Sequence, residues 1–392
     1  MTRGILNRVR VGVTALAVTL LAGTAVPAAA AAQDRPDLRA TLQAIVGSGF
    51  TGVQLRVRDR RGDWTGSAGL RELGAAAKPP TGGRFRIGST TKTFTAALVL
   101  RLVAEGRLGL DTPVAGYLPE SGFDPRITVR MLLQHTSGLF NHTGEYYDDG
   151  TVAPGIPWSG KDWVENRFHT YLPQELVRYS LSRPPRFAPG TGWSYANTNY
   201  VVARLLVEKV TGRPFADELR RQILRPLGLR DTVAPGTSPE LPGPHAHAYY
   251  RYSDGGQEKT VDITRQNPSW ISSAGEMIST TRDLGTFFSA LLGGKLLPAP
   301  LLAEMRKPHP TPDPTSDYGL GVFELHADAN CSGNVLYTHN GSVQGYGTLV
   351  YSTPDGSTTM TASITYVDTG AAPAEAYQTA VRRLIAGVFC TG

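Results

Sequence analysis

The hydrophobic period of this chain changes twice, and that pattern constrains the fold more than any single residue. Val53-Gln54-Leu55-Arg56-Val57-Arg58 alternates apolar and polar, turns at Arg60-Arg61-Gly62-Asp63 and returns as Trp64 to Leu70, which predicts an antiparallel hairpin with one wet face. From Ser89 to about Gly106 the period is helical, and from there to about Asn267 helices alternate with long loops rich in Gly, Pro and Tyr. After Thr281-Arg282-Asp283, an N-cap-like start to a helix over Leu284 to Leu292, alternation returns. Strands are expected at Tyr318 to Leu325, Val335 to His339, Thr348 to Ser352 and Thr358 to Tyr366, with Thr353-Pro354-Asp355-Gly356 as a hairpin turn and a last helix over Ala374 to Val388. Strands at both ends and helices between them predict an α+β fold: an antiparallel sheet built from both chain ends, flanked by helices, with an inserted all-helical lobe. The expected boundaries are a sheet lobe at about 33–105 and 268–392 and a helical lobe at about 106–267, together one domain with a cleft between the lobes.

Ahead of this domain, Arg3, Arg8 and Arg10 precede the apolar run Val11 to Val26 and an alanine-rich tail, the pattern of a signal peptide over residues 1–32 cleaved near Ala32. The rival reading, an uncleaved anchor, sits poorly with Gly23 and Pro27. The protein is therefore expected to be secreted, with no membrane anchor after cleavage. A net charge of +6 spread over scattered arginines gives no nucleic-acid footprint. His245 and His247, two apart in a Pro-rich loop, have no accompanying carboxylate or cysteine pattern, so neither a metal nor a cofactor is expected.

Chemistry concentrates in three stretches. In Arg86-Ile87-Gly88-Ser89-Thr90-Thr91-Lys92, Ser89 and Lys92 are three apart at a helix start and share a face. A serine hydroxyl needs an adjacent base, and a lysine in a crowded apolar site can serve; the plain alternative is an N-cap serine followed by a solvated lysine. Trp193-Ser194-Tyr195-Ala196-Asn197 puts Tyr195 and Asn197 on a short loop ahead of a helix. Tyr337-Thr338-His339-Asn340-Gly341-Ser342 reads as a strand end, with Gly341 marking a close backbone approach where a side chain would block a substrate. The loop from Phe140 to Trp158 is long for a compact domain and so more in keeping with a functional segment.

These three motifs in this order, Ser-x-x-Lys, Tyr-x-Asn and His-x-Gly, resemble those of the penicillin-recognising serine hydrolases of the class C β-lactamase type, and the chain is most similar to secreted D-alanyl-D-alanine carboxypeptidases. Leu132-Leu133-Gln134-His135-Thr136-Ser137-Gly138-Leu139, Ser269-Trp270-Ile271-Ser272-Ser273-Ala274-Gly275 and Tyr318-Gly319-Leu320-Gly321 extend the resemblance over nearly the whole mature chain. It implies a penicillin-sensitive DD-peptidase in which Ser89 forms an acyl-enzyme. Lys92 and Tyr195 would move the proton, with the order between them left open. Asn197 would hold Lys92 and the substrate carbonyl, and the backbone N–H groups of Ser89 and Ser342 would form the oxyanion hole. An esterase, a β-lactamase or a D-amino-acid amidase on the same scaffold is the alternative; a non-enzymatic wall-binding protein would have no need of Ser89, Lys92, Tyr195 and His339 together.

His339 stands where the β-lactamase branch has lysine, and is either a substrate anchor and relay or a strand-end histidine satisfied by hydrogen bonds. Trp270 either lines the cleft or fills the core, and His135 is assigned to a structural turn. Cys331 and Cys390, the only cysteines and matched in the resembling carboxypeptidases, are expected to form a disulfide closing roughly 58 residues, worth about 4 kcal/mol in the chain-entropy model. Expected partners are peptidoglycan stem peptides or small acyl substrates, with β-lactam antibiotics as inhibitors and a monomeric protein. Two positions depart from the carboxypeptidases: Phe323 stands where an arginine helps to hold the substrate carboxylate, and Asn340 replaces a threonine.

Overall fold

The computed structural model describes residues 34–147, 149–326, 335–369 and 375–390. The leader and Cys331 lie outside these, so the signal peptide and the second half of the expected disulfide fall beyond the described residues; Cys390 follows the final helix. Among the described residues no helix is long and apolar enough to cross a membrane.

One antiparallel sheet organises the chain. Its strands lie side by side as Gly62–Gly69, Gly52–Asp59, Thr359–Thr365, Tyr346–Ser352, Val335–Thr338, Phe323–His326, Ser316–Tyr318 and His309–Pro310, and a ninth strand, Gly341–Val343, pairs alongside Tyr346–Ser352. The N-terminal hairpin thus sits beside the strand Thr359–Thr365, with Val53 opposite Ile364 and Val57 opposite Met360.

Both faces of the sheet are covered at the strand Thr359–Thr365, while the hairpin beside it keeps the polar face expected of it only in part, with Arg58 and Asp63 exposed and Arg56, Thr65 and Ser67 half-buried. On one side Leu38, Leu42 and Ile45 of the helix Pro36–Gly47 and Ala380, Leu384 and Val388 of the helix Glu375–Phe389 pack on Leu55, Val57, Met360, Ala362 and Ile364. The alternate residues Thr359, Thr361, Ser363 and Thr365 are equally buried on the other side. There the helix Thr281–Leu292 crosses them, and Thr361 Oγ1 donates to Thr281 O at 2.9 Å. Small hydroxyl side chains that bond to the covering helix can be polar in sequence and still lie inside.

The inserted segment is mainly helical, as expected, but not wholly. It carries the hairpins Gly144–Tyr146/Val152–Pro154 and Tyr249–Asp254/Gln257–Asp262, and the second is extended by parallel pairing with Val367–Asp368. Gly255 and Gly256, with φ of 61° and 85°, supply its turn, which needs two left-handed residues.

At the centre lies the helix Thr91–Ala104. Every residue from Thr91 to Leu100 is buried, so the segment has no polar outer face and takes the middle of the molecule rather than its surface. Phe94 stacks on Phe287 of the sheet-covering helix at a centroid distance of 3.6 Å. On another side the helix meets Asn197–Thr211, whose Tyr200 to Val202 join the same core.

Candidate active site

Ser89 occupies a single tight turn, Gly88–Thr90, at the entrance to the central helix. Gly88 has φ of 50°, and a Cβ there would lie 2.6 Å from Ser342 N and 2.7 Å from Ser342 O. A Cβ on Gly341 would lie 2.0 Å from Ile87 O and 2.9 Å from Ser89 N. Two glycines therefore let the strand Gly341–Val343 and the serine turn touch backbone to backbone, which brings the amides of Ser89 and Ser342 together. Gly341 does mark a close approach, but what a side chain would strike is the chain itself, not a substrate.

Lys92 is fully buried one turn into the helix, with Nζ 3.2 Å from Ser89 Oγ, 2.7 Å from Asn197 Oδ1 and 2.8 Å from Ala274 O. All three neighbours are uncharged oxygens. Burial without a carboxylate partner drives its pKa well below the ordinary lysine value. Nζ donates to Asn197 Oδ1 and Ala274 O and lies within bonding distance of Ser89 Oγ, and burial works against its charged form.

Tyr195 hydrogen-bonds Ser89, and burial pushes the phenol pKa up against that bond. Its ring lies 4.7 Å from Lys92 Nζ. Asn197 opens the helix Asn197–Thr211, so it sits on the helix rather than the preceding loop. Its backbone N–H donates to Asn141 Oδ1 at 3.0 Å and its side-chain Nδ2 to Thr143 Oγ1 at 3.0 Å. The segment after Phe140 thus aligns the lysine's acceptor. Ser342 is exposed, with Oγ 3.2 Å from the Tyr366 hydroxyl.

His339 departs from the anchor expected of it. It is buried, its Nδ1 lies 3.1 Å from Asn340 O and its Nε2 3.0 Å from the Tyr318 hydroxyl. Burial and, secondarily, Lys92 push its pKa down to about 3, so the ring is neutral, with Nδ1–H donating and Nε2 accepting. Phe323 packs edge-on against both Tyr318 (4.5 Å) and His339 (5.4 Å), forming an apolar wall at the position of the arginine that the resemblance led one to expect.

Asn340 is not brought into the site. Its Oδ1 accepts from Val350 N at 3.0 Å and its Nδ2 donates to the Tyr351 hydroxyl at 2.8 Å, on the face opposite His339, because successive strand residues point to opposite sides. Trp270 is a core residue, and its carbonyl lies 3.0 Å from His142 Nε2. His245 lies 2.7 Å from Gly243 O and His247 2.6 Å from Asp262.

Three partners escaped the sequence: the Ala274 carbonyl, Tyr318 and Tyr200, whose hydroxyl donates to Leu133 O. Ser273-Ala274-Gly275 and Tyr318 both lie in stretches that carried the resemblance, but nothing local says that a backbone oxygen or a second-layer phenol matters.

A half-buried serine beside a fully buried lysine, with a phenol against the serine and the backbone of Ser342 packed against the serine turn, on a sheet with a helical insert, is the arrangement of an active-serine acyl hydrolase. The chain belongs to the beta-lactamase family, whose model matches residues 38–383. Among solved structures it is similar to a D-stereospecific amidohydrolase from Streptomyces sp., with TM-score 0.78 and 36% identity over 92% of this chain and 100% of that one. Among curated proteins it is similar to Esterase EstB of Burkholderia gladioli, 37% identical over 180 residues, 43% of each chain. It is also similar to Penicillin-binding protein 4* of Bacillus subtilis, 27% identical over 298 residues, 72% of this chain and 61% of the relative. The match thus spans only about half the length of these curated relatives.

Proposed function

We propose that this protein hydrolyses amide and ester bonds on the carbonyl side of D-residues through an acyl-enzyme at Ser89, and that it does not require a free carboxylate beyond the scissile bond. The observation that carries the chemistry is the placement of Lys92 Nζ, held by Asn197 Oδ1 and Ala274 O and aimed at Ser89 Oγ.

Neutral Lys92 takes the Ser89 proton as Oγ adds to the substrate carbonyl, and the Ser89 and Ser342 amides receive the oxyanion. The C–N or C–O bond then breaks, and the leaving group takes up a proton through Tyr195, which is reprotonated from Lys92. Water, deprotonated by the same pair, attacks the acyl-enzyme and releases the acid and Ser89. The opposite shifts of the two groups, amine down and phenol up, support giving the first proton to Lys92.

The substrate preference rests on the neutral His339 and the Phe323 wall, and the likeness to a D-stereospecific amidohydrolase supports the D-configuration. The second reading, a secreted D-alanyl-D-alanine carboxypeptidase acting on peptidoglycan stem peptides and blocked by penicillin, is favoured by the penicillin-binding relatives. On either reading export would precede action, and an oxidised Cys331–Cys390 pair is part of the proposal.

The test is to give the pure protein a fluorescent penicillin, a D-phenylalanine amide and a D-Ala-D-Ala peptide, following the adduct by mass spectrometry and the released amine. An adduct at Ser89 with ammonia release from the amide supports the proposal. Release of D-alanine with no turnover of the amide selects the carboxypeptidase, and a folded protein acylated nowhere overturns both.

A further inference from the structure

The segment that carries Tyr195 is clamped by one residue far away in sequence. His135 ends the helix Val129–Gln134 in the left-handed conformation, φ 66°, which only a few non-glycine residues adopt. Its carbonyl accepts from Ser194 N–H at 3.0 Å, and its Nδ1 accepts from Ala196 N–H at 3.2 Å. Both neighbours of Tyr195 are therefore bonded to the same residue, one to its main chain and one to its ring. Nδ1 also lies 3.0 Å from Asn199 Nδ2, and Asn199 Oδ1 accepts from the Ser137 hydroxyl at 2.6 Å. The ring face lies 4.4 Å from the Tyr195 ring, tilted by 36°.

A nitrogen that accepts two N–H bonds carries no proton, so this histidine can hold the clamp only while neutral. Burial keeps its pKa well below the ordinary histidine value. Its Nε2 has no hydrogen-bond partner, which leaves the ring to act through Nδ1 and its face.

We propose that His135 is the positioning residue for Tyr195: its carbonyl and Nδ1 fix the backbone on both sides of the phenol, and its ring sets the tilt at which the hydroxyl meets Ser89. It touches no substrate. The inference rests on the reading of Ser89, Lys92 and Tyr195 as one catalytic unit. It predicts that losing the Nδ1 acceptor slows acylation and leaves substrate binding nearly intact, because a misplacement of about 1 Å in a reacting group costs about a hundredfold in rate.

Glycine and asparagine both tolerate the left-handed conformation, and only asparagine offers an oxygen near the position of Nδ1. With p-nitrophenyl acetate as the probe, His135→Gly should lose about a hundredfold in kcat with KM within about threefold, and His135→Asn should recover most of that loss. Thermal melts run alongside separate unfolding from mispositioning. Equal kcat for the two variants, or a loss confined to KM, overturns the inference. Should His135→Gly not fold, His135→Gln keeps an acceptor but displaces it by one bond; a roughly tenfold fall in kcat at unchanged KM supports the clamp, and an unchanged kcat overturns it. A wild type without Ser89-dependent turnover defeats the functional reading itself, which is a different result from active, indistinguishable variants.

Discussion

Two basic side chains six residues apart, Arg86 and Lys92, are both buried and, among the described residues, both lack a carboxylate at bonding distance, yet the structure puts them to different uses. Arg86 spreads its charge over a planar fork, and three contacts from it reach Thr264 O and Pro239 O at 2.7–3.4 Å. Burial lowers its pKa only to about 10, so it remains a cation and ties the segment 239–264 to the strand that leads into Ser89. Lys92 concentrates its charge on one atom among neutral oxygens, and burial pushes its pKa well below the ordinary lysine value. The same desolvation leaves an arginine as a charged tether and, on the proposed mechanism, readies a lysine to act as a base.

The largest expected effect breaks the Lys92 half of this contrast. Lys92→Met should slow acylation of a p-nitrophenyl ester by about two to four orders of magnitude, the range for loss of a positioned general base. The sign of the pH effect on stability follows from the lowered pKa. Between the folded and unfolded values of Lys92 the unfolded chain binds the extra proton, so wild-type stability rises with pH in that window. Urea midpoints should therefore show the wild type gaining on Lys92→Met as pH rises towards the ordinary lysine value, and a constant difference would mean that the lysine stays charged in the fold.

Arg86→Met should do the reverse. It strands two buried carbonyls, at a cost of about 3 kcal/mol in urea unfolding, and leaves kcat per folded molecule within a factor of about three. Lost activity at unchanged stability would make Arg86 part of the chemistry and dissolve the contrast.

Glu276 supplies the acidic counterpart. It is buried with Arg204 Nη1 3.5 Å away, and its pKa is raised to about 7, first by burial. A carboxyl whose folded pKa exceeds its unfolded value stabilises the fold below the unfolded value, and this contribution is lost as pH rises towards 7. Glu276→Gln should thus gain on the wild type between pH 5 and 8 by about 2 kcal/mol; no gain would mean that Arg204 keeps the carboxylate ionised throughout.

What the sequence could show depended on how far apart the cooperating residues lie. Ser89 and Lys92 are neighbours by helical geometry alone, and alternation marked most of the strands. The hairpin Tyr249–Asp254/Gln257–Asp262 escaped because its second strand is almost wholly exposed and shows no apolar contrast; Gly255-Gly256 was the available clue. The helix Pro36–Gly47 escaped although Leu38, Leu42 and Ile45 already have helical spacing, since it follows directly on the leader and precedes the first strong alternation. The strand period alone was enough to separate Asn340 from His339. His135 could not be read this way, because the residues it clamps lie about sixty positions downstream and only the fold brings them close.

The smallest expected effect sharpens the contrast by adding a third basic residue in a less buried place. Phe323 is half-buried at the edge of the His339 wall, so an arginine there would reach water and keep its charge, unlike Lys92 and without the full desolvation of Arg86. A charge-assisted bond to a substrate carboxylate contributes about 1.5–3 kcal/mol, so Phe323→Arg should raise kcat/KM for a free-acid D-Ala-D-Ala peptide by about tenfold or more and leave its amidated form nearly unchanged. Comparing the two peptides on each protein cancels any general loss from the disturbed ring stack. If the wild type already prefers the free acid by that margin and the variant adds nothing, another group holds the carboxylate, and the neutral wall of Phe323 and His339 does not set the preference.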